Sequence, residues 1–312
     1  MRVLVTGGAG FIGSHLVDAS IASGYEVIVV DDLSSGRREN VHPRAKFYQV
    51  DIASNHLGEV FAEERPEIVV HHAAQASVVR SVQEPRYDAM VNVLGTVQIL
   101  EQCVRWKVRK VVFASTGGAI YGEPISIPVT EDHPIAPISP YGITKYIGEL
   151  YLAFYHKAYG LPYVSLRYAN VYGPRQDPTG EAGVVAIFID AMLRGRAPTI
   201  FGDGTQTRDF VYVEDVVQAN LLAMQSEVVG VMNIGTGVET SVNLLYAKLA
   251  QLTGFTDPPV YAAPRPGDVY RIALDPDRAR SLLGWRPKVT LEEGLRRTVE
   301  AFKEQAAREG GG

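Results

Sequence analysis

The chain opens on an arrangement that few folds can hold. Val3-Leu4-Val5 is a short apolar run, and Thr6-Gly7-Gly8-Ala9-Gly10-Phe11-Ile12-Gly13 follows it directly. From Ser14 to Ser23 the apolar residues Leu16, Val17 and Ile21 recur at helical spacing, and Gly24 stops them. Val27-Ile28-Val29-Val30 is a second continuous apolar run, closed by Asp31-Asp32. Strand, glycine loop, helix and second strand thus lie within roughly 30 residues, the frame of a βαβ unit with Gly-x-x-Gly-x-x-Gly spacing. In that frame Gly7 allows a tight turn, Gly10 lets the backbone approach a pyrophosphate, and Gly13 allows close helix–strand contact. The helix N-terminus offers phosphates its free N–H groups and its positive end. A purely structural glycine turn needs no such frame, so the context favours dinucleotide binding. There is no Gly-Lys-Ser/Thr, which argues against a Walker-type site.

The alternation continues. Strands are expected over 46–50, 68–71, 110–114 and 163–168, with helices at about 57–64, about 85–107 and through Tyr141. Apolar runs buried on both faces, alternating with helices, mark a parallel sheet covered on both sides: a doubly wound α/β (Rossmann) fold. After Asn170 the alternation weakens. Residues 173–183 read as a long loop rich in Gly, Pro and charge, the kind that often binds ligands. Helices are expected at 184–193, 213–225, from 241, and 291–304 before the terminal glycines, with short strands at 199–201, 210–211 and 231–234 and loops over 257–268. We expect a dinucleotide domain of residues 1–168 plus about 210–240. A smaller, discontinuous α+β substrate lobe of about 169–209 plus 241–312 would sit over the strand ends, where open α/β sheets bind ligands.

Composition narrows the function classes. The 312 residues are 46% hydrophobic and 21% charged, enough apolar material for a large core. A net charge of −5 argues against a nucleic-acid binder that works by broad phosphate neutralisation, though not against a nucleotide held by a few placed arginines. Cys103 is the single cysteine, so no internal disulfide forms and a reducing compartment fits. No leader is evident and no apolar run approaches ~18 residues, so no membrane span is expected and the cytoplasm is the default.

Candidate chemistry falls at the expected strand ends. Asp31 closes the second strand, where a carboxylate accepts hydrogen bonds from an adenosine ribose and repels a 2′-phosphate, selecting NAD over NADP. Arg37 and Arg38 just beyond argue the other way, unless they belong to a solvated loop. Asp51-Ile52, after the third strand, offers an adenine a carboxylate and an apolar wall, or is simply a helix N-terminal acid. Tyr141 and Lys145 lie one turn apart on a helix introduced by Ser139-Pro140, with Tyr146, Leu150, Phe154 and Ala158 continuing an apolar stripe. A fixed ammonium near a phenol favours the phenolate and brings it toward the range of a working base. Ser115-Thr116 ends the strand before it and supplies hydroxyls at the same edge of the sheet; the bland alternative is a turn or cap. His71-His72 has no partners at metal-ligand spacing, and adjacent strand residues face opposite ways, so a structural or cofactor-lining part is expected. Tyr146, Tyr151, Phe154, Tyr155 and Tyr159 read as core or subunit interface.

These segments, with Asn92 in Asn92-Val93-Leu94-Gly95-Thr96 and Arg167-Tyr168-Ala169-Asn170-Val171-Tyr172-Gly173-Pro174, resemble the extended short-chain dehydrogenase/reductases over nearly the whole chain. Gly202-Asp203-Gly204-Thr205-Gln206-Thr207-Arg208-Asp209-Phe210 and Arg265-Pro266-Gly267-Asp268 look like the nucleotide-sugar segments of the 4-epimerases in that family. The resemblance implies NAD-dependent 4-epimerisation of a UDP-hexose, UDP-glucose or UDP-galactose, through a transient 4-ketosugar, in a homodimer. It implies Tyr141 as base, Lys145 as its cationic neighbour, and Thr116 or Ser115 as the hydroxyl. NAD contacts would come from Gly7, Gly10, Phe11, Ile12, Gly13, Asp31, Asp32, Ser34, Asp51, Ile52, Ala73, Ala74, Gln75, Asn92, Tyr141, Lys145 and Tyr168. The UDP-sugar would be held by Thr116, Tyr141, Asn170, Arg208, Arg265 and Asp268; two arginines also suit a diphosphate on physical grounds.

Three departures stand out. The hydroxyl loop reads Ser115-Thr116-Gly117-Gly118 where many members carry three serines. Ala76 replaces a lysine. The Asp-Glu pair that 4,6-dehydratases use for elimination is absent, and loss of water needs such an acid and base. Rival readings are a 4-epimerase of UDP-N-acetylhexosamines or of UDP-glucuronate, with residues 268–272 setting the room, a redox enzyme that releases NADH, and a non-catalytic NAD-sensing protein.

Overall fold

The computed structural model describes residues 1–179, 183–265 and 268–310. Gly180, Glu181 and Ala182 of the expected loop, Pro266 and Gly267 of the arginine segment, and terminal Gly311 and Gly312 lie outside the described residues.

A seven-stranded parallel sheet runs, edge to edge, through Gly230–Ile234, Tyr163–Tyr168, Lys110–Thr116, Ile68–His71, Arg2–Thr6, Glu26–Asp31 and Lys46–Gln49. The strand order reverses beside Arg2–Thr6, the place where such folds open a crevice at the carboxyl ends. Strand periodicity sorts the core into two layers. Val3, Val5, Val27, Val29, Ile68, Val70, Val112 and Ala114 pack on one side with Leu16, Val17, Val216 and Ala219 of the Phe11–Ala22 and Val213–Gln225 helices. Leu4, Ile28, Val30, Val69, Val111 and Phe113 pack on the other with Phe61, Ile99, Leu100, Leu152 and Tyr155. Both faces of the inner strands are thereby covered, which explains their unbroken apolar runs, while the edge strand Lys46–Gln49 stays partly exposed.

A third cluster holds Val185, Phe188, Ile189, Phe210, Tyr212, Leu245, Leu249, Leu295 and Phe302, mostly from the later part of the chain. The Asp277–Leu283 helix and Trp285 return to the first layer, with Ala279, Leu283 and the Trp285 ring buried there and Trp285 Nε1 donating to Asp215 O at 2.8 Å. The Val260–Ala262 strand falls in the stretch read as loop, and the Asp277–Leu283 helix in one given no element. The final helix runs from Leu291 to Gly310 rather than ending at 304. Near residue 85 the expected long helix is Pro85–Ala89, a π-type turn at Met90–Leu94, and Gly95–Arg105.

Candidate active site

Gly7 takes φ 68°, and a Cβ there would stand 2.6 Å from Ala73 N, so the turn tolerates only glycine. At Gly13 a Cβ would come within 2.0 Å of Gly7 O, which fixes the closeness of helix and strand. Gly10 differs: the nearest protein atom to a Cβ would be Gly7 O at 3.2 Å, and its φ of −80° suits any residue. The protein itself does not require glycine at 10; the space beside it does. The helix it caps has no side-chain cap and no acidic residue in its first turn, and the N–H groups of Phe11, Ile12 and Gly13 have no partner among the described residues. A phosphate group fits that combination.

Asp31 is buried, with Oδ2 accepting from Ala9 N and Oδ1 from Leu33 N, each at 2.9 Å. Burial raises its pKa, and those two N–H groups oppose the rise. Arg37 and Arg38 do not face it: Arg37 pairs with Asp177 at 3.5 Å and Arg38 lies over the Phe47 ring at 4.4 Å. The argument for a 2′-phosphate falls away. Asp32 is engaged with Ser34, whose N–H and Oγ both donate to its Oδ1. Ala73 donates its N–H to Thr6 Oγ1 at 3.2 Å, which sets it and Ala74 beside the glycine loop.

Several residues expected at the cofactor also make contacts within the protein. The Ile52 side chain is in the core, where a Cβ on Gly95 would touch it at 2.7 Å, and Asp51 caps its own turn through Ala53 N at 2.8 Å. Asn92 spends its amide within the protein, accepting from Gln75 N at 2.8 Å and donating to Gln75 O at 2.9 Å. The Gln75 side chain is bound to Ser77 and Asp88. Tyr168 gives its hydroxyl to Asn220 Oδ1 at 3.1 Å.

The catalytic candidates converge. Ser139 caps the Pro140–Tyr159 helix by accepting from Gly142 N at 3.2 Å, with Pro140 in the first turn. Thr116 ends its strand beside the Tyr141 phenol and pulls the phenol's pKa down. Ser115 points to the other face of that strand, the face of Phe113, where its hydroxyl is buried without a partner among the described residues, so Thr116 is the better-placed hydroxyl of the two. Asn170 Oδ1 completes the set, 3.6 Å from where a Cβ on Gly118 would lie, with Thr116 Oγ1 at 3.9 Å from the same point. Lys145 is buried, its Nζ 4.6 Å from the Phe113 ring centre. Burial lowers its pKa to about 8 while Asp88 and Glu149 pull the other way. Burial raises the Tyr141 phenol to about 12, with Thr116 opposing the rise and the Asp88 charge adding to it. In the folded chain burial is thus the largest influence on this phenol.

His71 is fixed between Thr6 Oγ1 at 2.8 Å and Thr96 Oγ1 at 3.0 Å, and burial holds its pKa well down. His72 reaches Asn220 Oδ1 at 3.2 Å, with burial lowering its pKa to about 4. Both stay neutral and structural. Of the Tyr146–Leu150–Phe154–Ala158 stripe, Tyr146 packs against the first core layer and the rest faces outward, with Leu150 and Phe154 about half exposed at 51% and 54%. The buried side of that helix is instead Gly142, Thr144, Lys145, Gly148, Glu149, Leu152 and Tyr155.

Across the crevice a cavity of about 720 Å³ is lined by Arg208, Arg265 and Asp268, together with Phe201, Asp203, Gln206, Tyr261 and Tyr270. The Arg265 guanidinium stacks on the Phe201 ring at 3.8 Å, and Arg208 Nη1 donates to Thr207 O at 2.8 Å. Burial lowers the Arg208 pKa, with Asp268 and Glu123 opposing. The aromatic wall was not read from the sequence; Phe201 and Tyr261 lie on short strands that pair only in the fold.

Fold and site together define a dinucleotide-binding Rossmann enzyme with a Tyr–Lys–Thr set and a second, arginine-lined cavity. Residues 3–235 match the NAD dependent epimerase/dehydratase family. A UDP-glucose 4-epimerase of Mycolicibacterium smegmatis is 50% identical over 312 residues, covering 98% of this chain and 100% of its own length. The crystal structure of UDP-glucose 4-epimerase with UDP-glucose from Thermotoga maritima is 55% identical with a TM-score of 0.96, covering 98% of this chain and 100% of the other. That of the Thermus thermophilus UDP-glucose 4-epimerase complexed with NAD is 48% identical with a TM-score of 0.93, covering 97% and 99%. The chain belongs to the NAD dependent epimerase/dehydratase family. It is an enzyme of the isomerase class with NAD as its cofactor. Among the described residues no helix is long and apolar enough to cross a membrane.

Proposed function

We propose that this chain interconverts UDP-glucose and UDP-galactose by inverting carbon 4 of the sugar. The observation that carries it is the meeting of Thr116, Tyr141 and Asn170 between the glycine loop and the two-arginine cavity. Gly7, Gly10, Gly13, Asp31 and the Phe11 and Ile12 N–H groups hold the dinucleotide. Arg208 and Arg265 take the diphosphate, and Asp268 and the Phe201 wall take the nucleoside. When bound, NAD supplies a reversible hydride acceptor and, oxidised, a positively charged ring. Tyr141 takes the proton from the sugar 4-hydroxyl and later returns it. Thr116 bridges that oxygen and the phenol. Lys145 adds a second fixed positive charge, so that two cations together overcome the burial that keeps the phenol protonated. Asn170 borders the space in which the 4-ketosugar turns. Since the redox change over the cycle is zero, NAD stays bound between turnovers.

The exposed Leu150, Phe154 and Tyr159 on one helix, with Met90 and Leu94 beside the π-type turn, form the face on which two copies pair as a homodimer. The enzyme works in the cytoplasm; the single buried cysteine and the lack of a spanning helix among the described residues support that placement.

The test is to incubate purified protein with UDP-galactose, without and then with added NAD, and to follow the sugar proton signals by NMR. UDP-N-acetylglucosamine and UDP-glucuronate serve as parallel substrates. Conversion of UDP-galactose to a mixture with UDP-glucose, without free NADH, is expected. No conversion with NAD present would sink the reading.

A further inference from the structure

A carboxylate that lies outside the catalytic set holds the Tyr141–Lys145 turn from beneath. Asp88 is fully buried. Its Oδ1 accepts from Gln75 Nε2 at 2.7 Å and Asn92 Nδ2 at 3.1 Å, and its Oδ2 from Thr144 Oγ1 at 2.7 Å. All three partners act as donors, the set that an ionised carboxylate accepts. Among the described residues no lysine or arginine pairs with it directly. Thr144 lies between Tyr141 and Lys145 on the Pro140–Tyr159 helix, so its hydroxyl, whose one proton is given to Asp88 at 2.7 Å in preference to Tyr141 O at 3.1 Å, ties Asp88 to the turn that carries both catalytic side chains. Gln75 lies on the loop after Ile68–His71, beside Ala73 and the glycine loop; Asn92 belongs to the π-type turn at Met90–Leu94. A π-type turn inside a helix commonly marks a functional position, and here it carries the amide that Asp88 fixes.

We propose that Asp88 is a positioning residue for the reaction: it pins the Tyr141–Lys145 turn to the dinucleotide crevice through Thr144, Gln75 and Asn92, and it is the buried negative charge against which the Lys145 ammonium is held. This rests on the reading of Tyr141 and Lys145 given above. Lys145 bears the charge of Asp88 and, less strongly, that of Glu149 on its own helix. His71 and His72 face it from the neighbouring strand, and burial keeps both neutral. Asp88 also acts on Tyr141, where its charge opposes the phenolate. The two effects are of opposite use but of one sign in titration. Removing the charge makes the ammonium easier to deprotonate and the phenol easier to ionise, so both groups titrate at lower pH.

Asp88→Asn keeps the shape and drops the charge. In cofactor-free protein labelled with ¹³C at lysine Cε, the Lys145 signal, identified by its absence from Lys145→Met, should titrate ~1 pH unit or more below its wild-type position. In the NAD-loaded enzyme both limbs of the kcat–pH profile should move to lower pH, with KM for UDP-glucose unchanged. A Lys145 signal and pH limbs that stay at wild-type positions would overturn the proposal. The lysine measurement needs no turnover, so failure of the epimerase reading would be seen separately. Where Asp88→Asn fails to fold, Thr144→Val carries the test. It should lower kcat several-fold without changing KM, and Thr144→Ser should restore it; wild-type kcat in Thr144→Val would overturn the pinning.

Discussion

Gly10 and Gly13 look alike in sequence, yet the structure gives them different reasons for being glycine. A Cβ at Gly13 would lie 2.0 Å from Gly7 O and 2.8 Å from Gly7 C, both backbone atoms that cannot swing aside. Gly13→Ala must therefore push the helix off the first strand, at a cost of about 2–3 kcal/mol or more, the range for overpacking a tight core. At Gly10 the contact is 3.2 Å to a single oxygen, and the backbone already sits in an extended conformation. Gly10→Ala restricts the unfolded chain, worth ~0.4–1 kcal/mol in favour of the fold, and loses ~1 kcal/mol as a poorer helix cap. The two nearly cancel. What the methyl does take up is the space in which a pyrophosphate meets the free N–H groups of Phe11 and Ile12. Thermal melting of the cofactor-free proteins should leave Gly10→Ala close to wild type and Gly13→Ala well below it. Calorimetric titration with NAD should then show Gly10→Ala weakened at least ~10-fold, or ~1.4 kcal/mol. In melts with NAD at ~100 times the wild-type Kd, the wild type gains ~2.7 kcal/mol from binding and Gly10→Ala about half of that. Wild-type NAD affinity in Gly10→Ala would refute the assignment of that space to the cofactor.

Tyr141→Phe should lower kcat by ~10²–10⁴, the contribution of a positioned acid–base group, while calorimetry shows NAD and UDP-glucose still binding; turnover within a few-fold of wild type would remove the tyrosine from the chemistry. Lys145→Met should stabilise the cofactor-free protein at pH 6, by ~3 kcal/mol at ~1.4 kcal/mol per pKa unit. The sign follows from a folded-state pKa of about 8 against an ordinary 10.5. Below pH 8 the folded wild type carries an unfavourable buried charge, and between about 8 and 10.5 it sheds a proton that the unfolded chain keeps, so its stability rises with pH. Urea melts should show the variant's advantage shrinking toward pH 10; an advantage that widens would reverse the reasoning. Arg208→Ala should raise KM for UDP-glucose ~10–100-fold with kcat little changed, as expected for a charge-assisted phosphate contact of ~1.5–3 kcal/mol, and steady-state kinetics decides it. Phe154→Glu, on the outward stripe, should give a monomer by light scattering if two copies pair there; an undisturbed dimer would move the interface elsewhere.

The sheet was legible because its strands are covered on both faces. Only apolar residues fit Val3-Leu4-Val5 or Val27-Ile28-Val29-Val30, and their brevity and alternation with helices mark them as strands of a covered sheet. The Asp277–Leu283 helix and the Val260–Ala262 strand were not legible, being short segments whose burial depends on partners far away in the chain. The Pro140–Tyr159 helix shows why periodicity finds a helix and still misjudges which side is inside. Its buried face holds glycines because the neighbours stand so close: a Cβ at Gly142 would lie 2.5 Å from Ala119 O, and one at Gly148 2.7 Å from the Phe113 ring. A face made of glycine, lysine, threonine and glutamate does not look apolar, so the exposed aromatic stripe stood out instead.

The same limit governs the site residues. Spacing brings Tyr141 and Lys145 together, but the sign of each pKa shift depends on burial, and burial is a property of the whole fold. The two groups are displaced in opposite directions for one reason, since each is disfavoured in its charged form. At neutral pH the phenol therefore stays protonated while the ammonium, with a pKa of about 8, is still charged. Under the proposed function, oxidised NAD would bring a further positive charge beside the phenol, and the base would be armed only with the cofactor in place.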